Sequence, residues 1–210
     1  MESFYEFLGD NKSFHFPEQP YSEEIISMVK NEVNDAAYFE WMLERNGGYY
    51  FNSSLHFYGF CTQPNYHNII TINQHLTNTY QQLSNGLFAF AEDIFGNQFC
   101  FEADQVVFFN LETAEREVIA QNFDGFLIDF RKDIEYYSGI DLLSGWLLSG
   151  NTFPYGNRLC AKIPFVIDGK YEVDNLYLID AFKNIAYNAS LAHQIYNLPD
   201  GTSIQIKLSE

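Results

Sequence analysis

Apolar residues recur along this chain with two periods, and the period marks the element. Ser22 precedes Glu23-Glu24-Ile25-Ile26, and Val29 and Val33 continue the stripe at helical spacing. That is a capped helix with acids in its first turn, where they favour the helix dipole. Asn34-Asp35 opens a second helix over Ala36–Arg45, with Ala36, Phe39 and Leu43 on one face and Met42 beside them. Gly47 stands just past its end, where a left-handed residue closes helices most easily. Leu55–Cys61 reads as an aromatic strand and Asn73–Leu83 as a helix. Leu87–Ala91 and Gln98–Glu102 alternate sides around Gly96-Asn97, which predicts a hairpin.

The pattern continues downstream. Val106–Leu111 and Glu117–Ala120 read as strands. Phe123, Phe126, Leu127, Phe130 and Ile134 give the cleanest amphipathic helix of the chain. Asp141–Leu148 reads as a helix, and Pro154, Gly156 and Pro164 mark irregular chain. Leu176–Asp180 reads as a strand. A helix stripe follows on Phe182, Ile185, Ala186, Ala189, Ala192 and Tyr196. After the turn Pro199-Asp200-Gly201, the alternation of Ile204, Ile206 and Leu208 predicts a last strand. Strands run as a meander with helices around them, so the fold class expected is α+β rather than a doubly wound sheet.

Composition narrows the class. Apolar residues are 47% of the 210, enough for a sizeable core, and 21 Phe and 15 Tyr make rings the main packing units. The net charge is −17. Nucleic acid and membrane surfaces are themselves anionic and should repel the chain, whereas a basic protein would be attracted. The charge is uneven: residues 51–91 hold no Asp, Glu, Lys or Arg, while residues 92–135 hold eleven acids and three bases. The uncharged stretch is rich in Asn and Gln, which suits packed loop and helix ahead of the alternative, a recognition surface of amides and aromatics. The amino terminus lacks the basic start and apolar core of a signal peptide, and no apolar run reaches the ~20 residues of a membrane span. With three isolated cysteines, the expectation is a reduced, cytoplasmic protein.

Candidate chemistry is sparse. No phosphate-binding loop, dinucleotide fingerprint or hydrolase elbow occurs. Cys61, Cys100 and Cys160 form no Cys/His cluster, and Cys100 reads as a small buried hydrophobe. His56, His67 and His75, with Glu92-Asp93, are near enough in sequence to suggest a metal, but spacings of 11 and 8 fit no standard site. Asp93 with Glu102 or Asp104 could pair for acid–base work. The competing reading is that Asp93 fixes the hairpin turn through backbone amides. His193 reads as a structural histidine, and Trp41 and Trp146 as core or interface anchors.

Several of these pieces fall in a telling order. The helix ends in Asn46-Gly47-Gly48, and a strand with Tyr58-Gly59 follows. An apolar strand then leads into the turn Asp93-Ile94-Phe95-Gly96 and the strand Phe99-Cys100-Phe101. Val106–Phe109 and the helix Phe123–Leu127 close the unit. In this order the chain resembles the SMI1/KNR4 (SUKH) superfamily over about residues 22–135. It departs where the family usually has Pro before its Asn-Gly-Gly helix, since Asn34-Asp35 stands there. Residues 136–210 exceed the minimal family domain. Their Gly156-Asn157-Arg158-Leu159, Ile163-Pro164-Phe165 and Asn175-Leu176-Tyr177 elements resemble a C-terminal extension of some bacterial members.

The resemblance implies a single SMI1/KNR4-like domain over 1–210, with an antiparallel sheet flanked by helices. It implies a non-enzymatic immunity protein that binds and neutralises a cognate bacterial toxin domain, for instance a nuclease, with no cofactor and no metal. The alternative it carries is a regulatory adaptor or scaffold. A nuclease presents Lys and Arg to phosphate, and an acidic inhibitor can occupy those groups. The expected partner is therefore a basic toxin protein, with neither nucleic acid nor membrane. The expected partner-binding acids are Glu92, Glu102, Asp104, Glu112 and Glu115, with Asp93 kept for the turn.

Overall fold

The structure is a computed structural model that describes residues 12–14, 22–63, 65–199 and 201–202. The strand expected at 204–208 lies outside the described residues. Seven strands form one antiparallel sheet in chain order: β1 (Lys12–Phe14), β2 (Gly48–Tyr50), β3 (Leu55–Phe57), β4 (Leu87–Glu92), β5 (Gln98–Glu102), β6 (Gln105–Phe109) and β7 (Arg116–Ala120). Helices α1 (Glu23–Glu32), α2 (Ala36–Arg45), α3 (Ile69–Tyr80), α4 (Phe123–Lys132), α5 (Ile134–Ser138), α6 (Ile140–Leu148) and α7 (Ala181–Ile195) surround it. A separate hairpin pairs β8 (Asn157–Ala161) with β9 (Leu176–Asp180). The fold is α+β.

One face of the sheet is an aromatic layer. Phe57, Phe90, Phe99 and Phe101 meet Tyr38 and Trp41 of α2 and Phe123, Phe126 and Phe130 of α4. The buried stripe of α2 is thus Tyr38, Phe39, Trp41 and Met42, whereas Ala36 and Leu43 face water. Rings bury more area than an alanine and a leucine, so they win the inward face. The opposite face is covered by α3 and α7, with Tyr80 of α3 against Phe109.

Local chemistry explains why these elements start and stop here. Asp35 caps α2 through Tyr38 N at 3.0 Å, and its second oxygen accepts Phe123 N, the first amide of α4, at 2.8 Å. One carboxylate therefore serves two helix N-termini. The amphipathic run from Phe123 breaks into α4 and α5 at Asp133, whose side chain accepts Tyr136 N. That bond replaces the helical ladder locally. The β4 ladder has an irregularity at Ala89/Ala91, and Asn73 of α3 both donates to Ala89 O at 2.9 Å and accepts Ala89 N at 2.7 Å. An amide of the uncharged stretch is thus spent on strand backbone that would otherwise be buried without partners.

The Asn46-Gly47-Gly48 and Tyr58-Gly59 pairs form one joint. Asn46 is left-handed at the end of α2, and its Oδ1 accepts Phe60 N at 2.7 Å. Gly47 has φ +74, and a Cβ there would lie 2.5 Å from Phe57 O and 2.8 Å from Tyr58 O. A Cβ on Gly59 would lie 2.4 Å from His67 Nε2. Both positions thus need glycine for close approach, and Gly47 also for its handedness.

Candidate interaction surface

Glu92 was expected at a partner interface, and its burial corrects that expectation. Glu92 ends β4 on the face under α7, and its side chain is 0% exposed. It is ion-paired with Arg158 of β8, 1% exposed, and takes hydrogen bonds from His56 Nδ1 at 2.7 Å and from Tyr66 Oη. His56 Nε2 meets His67 Nδ1 at 2.9 Å. With His56 donating to the carboxylate through Nδ1, its Nε2 accepts from His67. Burial alone would raise the Glu92 carboxyl, but Arg158 and the His56 bond outweigh it and hold the group below the usual carboxylate range. The Arg158 guanidinium also lies against rings, 5.5 Å from that of Tyr49 and 5.4 Å from that of Tyr66.

These side chains are of the types that do acid–base chemistry, but none reaches solvent: His56 is fully buried and His67 nearly so. Neither the cleft beside Asp93 and Tyr171 nor that beside Thr113 and Tyr196 is lined by them. Their effect is on stability. Burial depresses His56 to about 4, so the fold keeps it neutral while the unfolded chain protonates near 6.5. The stability it supports is complete above pH 6.5 and is lost as pH falls towards 4, by up to about 3 kcal/mol. Asp93 works the other way: burial pushes it up to about 7, so its contribution is lost as pH rises through that value. The measurement is therefore a comparison of urea unfolding for wild type and His56→Gln between pH 7 and pH 4, with Asp93 common to both. The wild type should lose its advantage as pH falls. A gap constant with pH would contradict a neutral buried His56.

The other four expected acids are placed apart. Glu102 is half-buried and ion-paired with Arg116, which also donates to Leu83 O. Asp104 is exposed in the β5–β6 turn. Glu112 accepts Phe165 N at 3.1 Å and Val166 N at 2.9 Å, so it anchors the segment after β8. Glu115 is exposed in the same β6–β7 loop as Glu112. Glu102 and Asp104 lie at one end of β6, and Glu112 and Glu115 at the other, so the four do not form one patch. Asp93 sits in its turn, accepting Phe95 N at 2.8 Å, Asn97 N at 2.9 Å and Asn97 Nδ2 at 2.8 Å. That leaves it at the far end of β5 from Glu102, which removes the acid–base pair.

The remaining described histidines and the three cysteines make structural contacts. His75 lies 3.1 Å from Phe182 O and His193 3.0 Å from Thr79 O, so both tie α3 to α7. The three cysteines are free and buried. Among the described residues, no group of three His, Cys, Asp or Glu side chains is placed to hold a metal ion. Nor is any helix among them long and apolar enough to cross a membrane.

A cleft of about 660 Å³ opens between the β4–β5 turn, the α5–α6 corner and the chain before β9. Asp93, Phe95 and Asn97 come from the turn, Glu135, Tyr136, Gly139, Asp141 and Leu142 from the corner, and Tyr171 and Val173 from the third side. Phe108 and Asn110 complete the lining, which contains no Lys, Arg or His. One wall is rigid: Tyr171 stacks on Phe165 at 3.9 Å and 13°, and Phe95 meets both rings edge-on. On the other side Tyr136 donates to Glu117 Oε2 at 3.1 Å, which fixes its ring at the rim. Glu135 and Asp141 both line this side, and the neighbouring Asp141 carboxyl pushes that of Glu135 up. No sequence pattern marks Glu135, Tyr136, Asp141 or Tyr171 as a site. They belong to three segments that only the fold brings together.

The sequence profile of the SMI1 / KNR4 family (SUKH-1) matches residues 20–129. The chain belongs to this family. The matched span covers α1 to most of α4, and so includes the Asn46-Gly47-Gly48 joint, the Asp93 turn and the aromatic layer. The chain is similar in fold to Atu4351 from Agrobacterium tumefaciens, whose crystal structure aligns with 16% identity and a TM-score of 0.57. The alignment covers 90% of this chain and 88% of that one, so the shared architecture extends past the family span into the α6–β9 region. No curated protein matches the sequence. Within the SMI1/KNR4 fold, Arg158 lies outside the matched span but its partner Glu92 lies inside it.

Proposed function

We propose that this SMI1/KNR4 protein is a non-enzymatic immunity protein of the cytoplasm that binds and neutralises a cognate, basic toxin domain. The observation that carries the reading is the cleft at the β4–β5 turn, which joins carboxylates to exposed tyrosines with no base in its lining. Tyrosine is enriched at protein interfaces, and a chain of net charge −17 steers a basic partner towards it. The groups that resemble a catalytic set, His56, Glu92 and Arg158, are sealed in the interior, which favours a binding role over a hydrolytic one.

The test is co-expression with the toxin-like product of a neighbouring gene. Protection should accompany a complex of nanomolar affinity or better, as restraint of a lethal toxin demands. Its on-rate should fall steeply with salt. Reversal of exposed acids, Asp104→Lys with Glu115→Lys, should slow association while leaving the melting temperature near wild type. Equal killing with and without the protein, together with no complex at low salt, would remove the immunity reading in favour of a regulatory adaptor.

A further inference from the structure

We infer that the cleft between the β4–β5 turn, the α5–α6 corner and residues 171–173 is the seat of an arginine side chain presented by a basic protein partner. The inference rests on the reading above that the partner is basic, and it names where that charge docks. Three features of the cleft specify the occupant. Glu135 and Asp141 place two carboxyls at the rim of one cleft, both exposed, with no basic side chain in the lining to neutralise them. A cation between them would relieve their repulsion. Tyr136 and Tyr171 stand on the two sides of the opening, 59% and 63% exposed. Each ring is held in place without the partner, Tyr136 by Glu117 and Tyr171 by Phe165. An aromatic face beside a carboxylate suits guanidinium, which is planar, stacks on rings and bonds carboxylates through two N–H groups at once. An ammonium is more strongly hydrated and has no plane to stack, so lysine should fit less well.

Preorganisation strengthens the assignment. The floor of the cleft is the Asp93 turn, whose carboxyl is already engaged by Phe95 N, Asn97 N and Asn97 Nδ2. The free carboxyls are therefore those of the rim, where an incoming side chain arrives first. At about 660 Å³ the cleft is within the usual range for ligand sites and has room for the backbone that carries the side chain.

The experiment needs no toxin. The full chain, labelled with 15N, is titrated with N-acetyl-arginine amide, with N-acetyl-lysine amide and with neutral N-acetyl-glutamine amide. The arginine probe should give saturable shifts at the amides of Phe95, Asn97, Gly139 and Val173. The lysine probe should bind more weakly and the glutamine probe not at all. Glu135→Gln with Asp141→Asn should weaken the arginine probe roughly tenfold, as expected for loss of charge-assisted bonds. Tyr171→Ala, with both carboxyls intact, should weaken it as well. Absence of saturable shifts at the cleft, equal binding of lysine and arginine, or binding unchanged in the Glu135/Asp141 variant would each overturn the inference. The two readings fail separately. Probe binding without protection of cells removes the immunity function and leaves the arginine seat. Protection that persists in the Glu135/Asp141 variant, with no probe binding, does the reverse.

Discussion

Arg158→Met should lower the stability of the fold by about 3–5 kcal/mol, the loss expected when one partner of a buried ion pair is removed. Methionine can fill much of the slot between Tyr49 and Tyr66, so little of the loss comes from packing. The loss comes from Glu92, left fully buried with His56 and Tyr66 as neutral partners and no counter-charge. Its carboxyl should then titrate above the unfolded value rather than below it. A group of that kind is stabilising below the unfolded pKa and loses its contribution as pH rises through the folded one. The deficit of Arg158→Met should therefore be largest at neutral pH and shrink in acid. Glu92→Gln combined with Arg158→Met should recover much of the stability, because the amide oxygen can still accept from His56 and no buried charge remains. Urea unfolding of the two single variants and the double variant gives the coupling directly. A deficit below ~1 kcal/mol, or a double variant as unstable as the sum of the singles, would mean that the pair does not hold the structure.

That pair also fastens the C-terminal region to the sheet, because Glu92 ends β4 while Arg158 opens the β8–β9 hairpin. Two further bonds act at the same seam. Leu159 N donates to Ile94 O at 2.9 Å, and Asn184 of α7 donates to Phe95 O at 2.7 Å. The Asp93 turn is thus gripped by the C-terminal elements on one side while it lines the cleft on the other. Loosening of the Glu92–Arg158 pair should be felt at the floor of the proposed arginine seat, even though neither residue lines it.

What the sequence made legible was chemistry of short range. The Asn46-Gly47-Gly48 stop, the Asp93 turn and the Ser22 and Asp35 caps each close within a few residues, so residue type alone signals them. The strands β4 to β7 and the Phe123 stripe were legible because each presents a clear apolar period. Side chains whose partners lie far along the chain were not. Glu92 and Arg158 are 66 residues apart, and Glu92 reads as one more acid at a strand end. The available clue is that Glu92 closes the apolar run of β4 and Arg158 stands directly before the apolar Leu159-Cys160-Ala161. Hydrophobic spacing puts Ala186 and Tyr196 on the stripe of α7, yet both are exposed, while Asn184 and Asn188 lie inward with Ile185 and Ala189. Hydrophobicity misleads there because the buried asparagines are satisfied, Asn184 by Phe95 O and Asn188 by Asn184 O. Strand β8 escaped for a similar reason: Asn157 and Arg158 do not look like a buried strand until their partners are known.

Phe126→Ala should cost about 3–5 kcal/mol, the range for removing a large ring from a core that cannot close around the gap. Phe126 is fully buried at the centre of the aromatic layer. Its ring lies 5.1 Å from Phe99, 5.2 Å from Phe90, 5.7 Å from Phe130 and 6.0 Å from Phe123. Those neighbours come from two strands and from the helix itself, so no single side-chain rotation can fill the space. The two strand rings are also held from behind, Phe90 by Tyr38 and Phe101, and Phe99 by Phe108. The loss should therefore sit at the high end of the range, and Phe126→Leu, which keeps most of the volume, should lose much less. The cleft is lined by other residues of the chain, so at temperatures well below its melting point Phe126→Leu should bind the arginine probe as the wild type does. Thermal and urea unfolding of the two variants provide the measurement. A Phe126→Ala protein melting like wild type would mean that α4 does not bury this ring against the sheet.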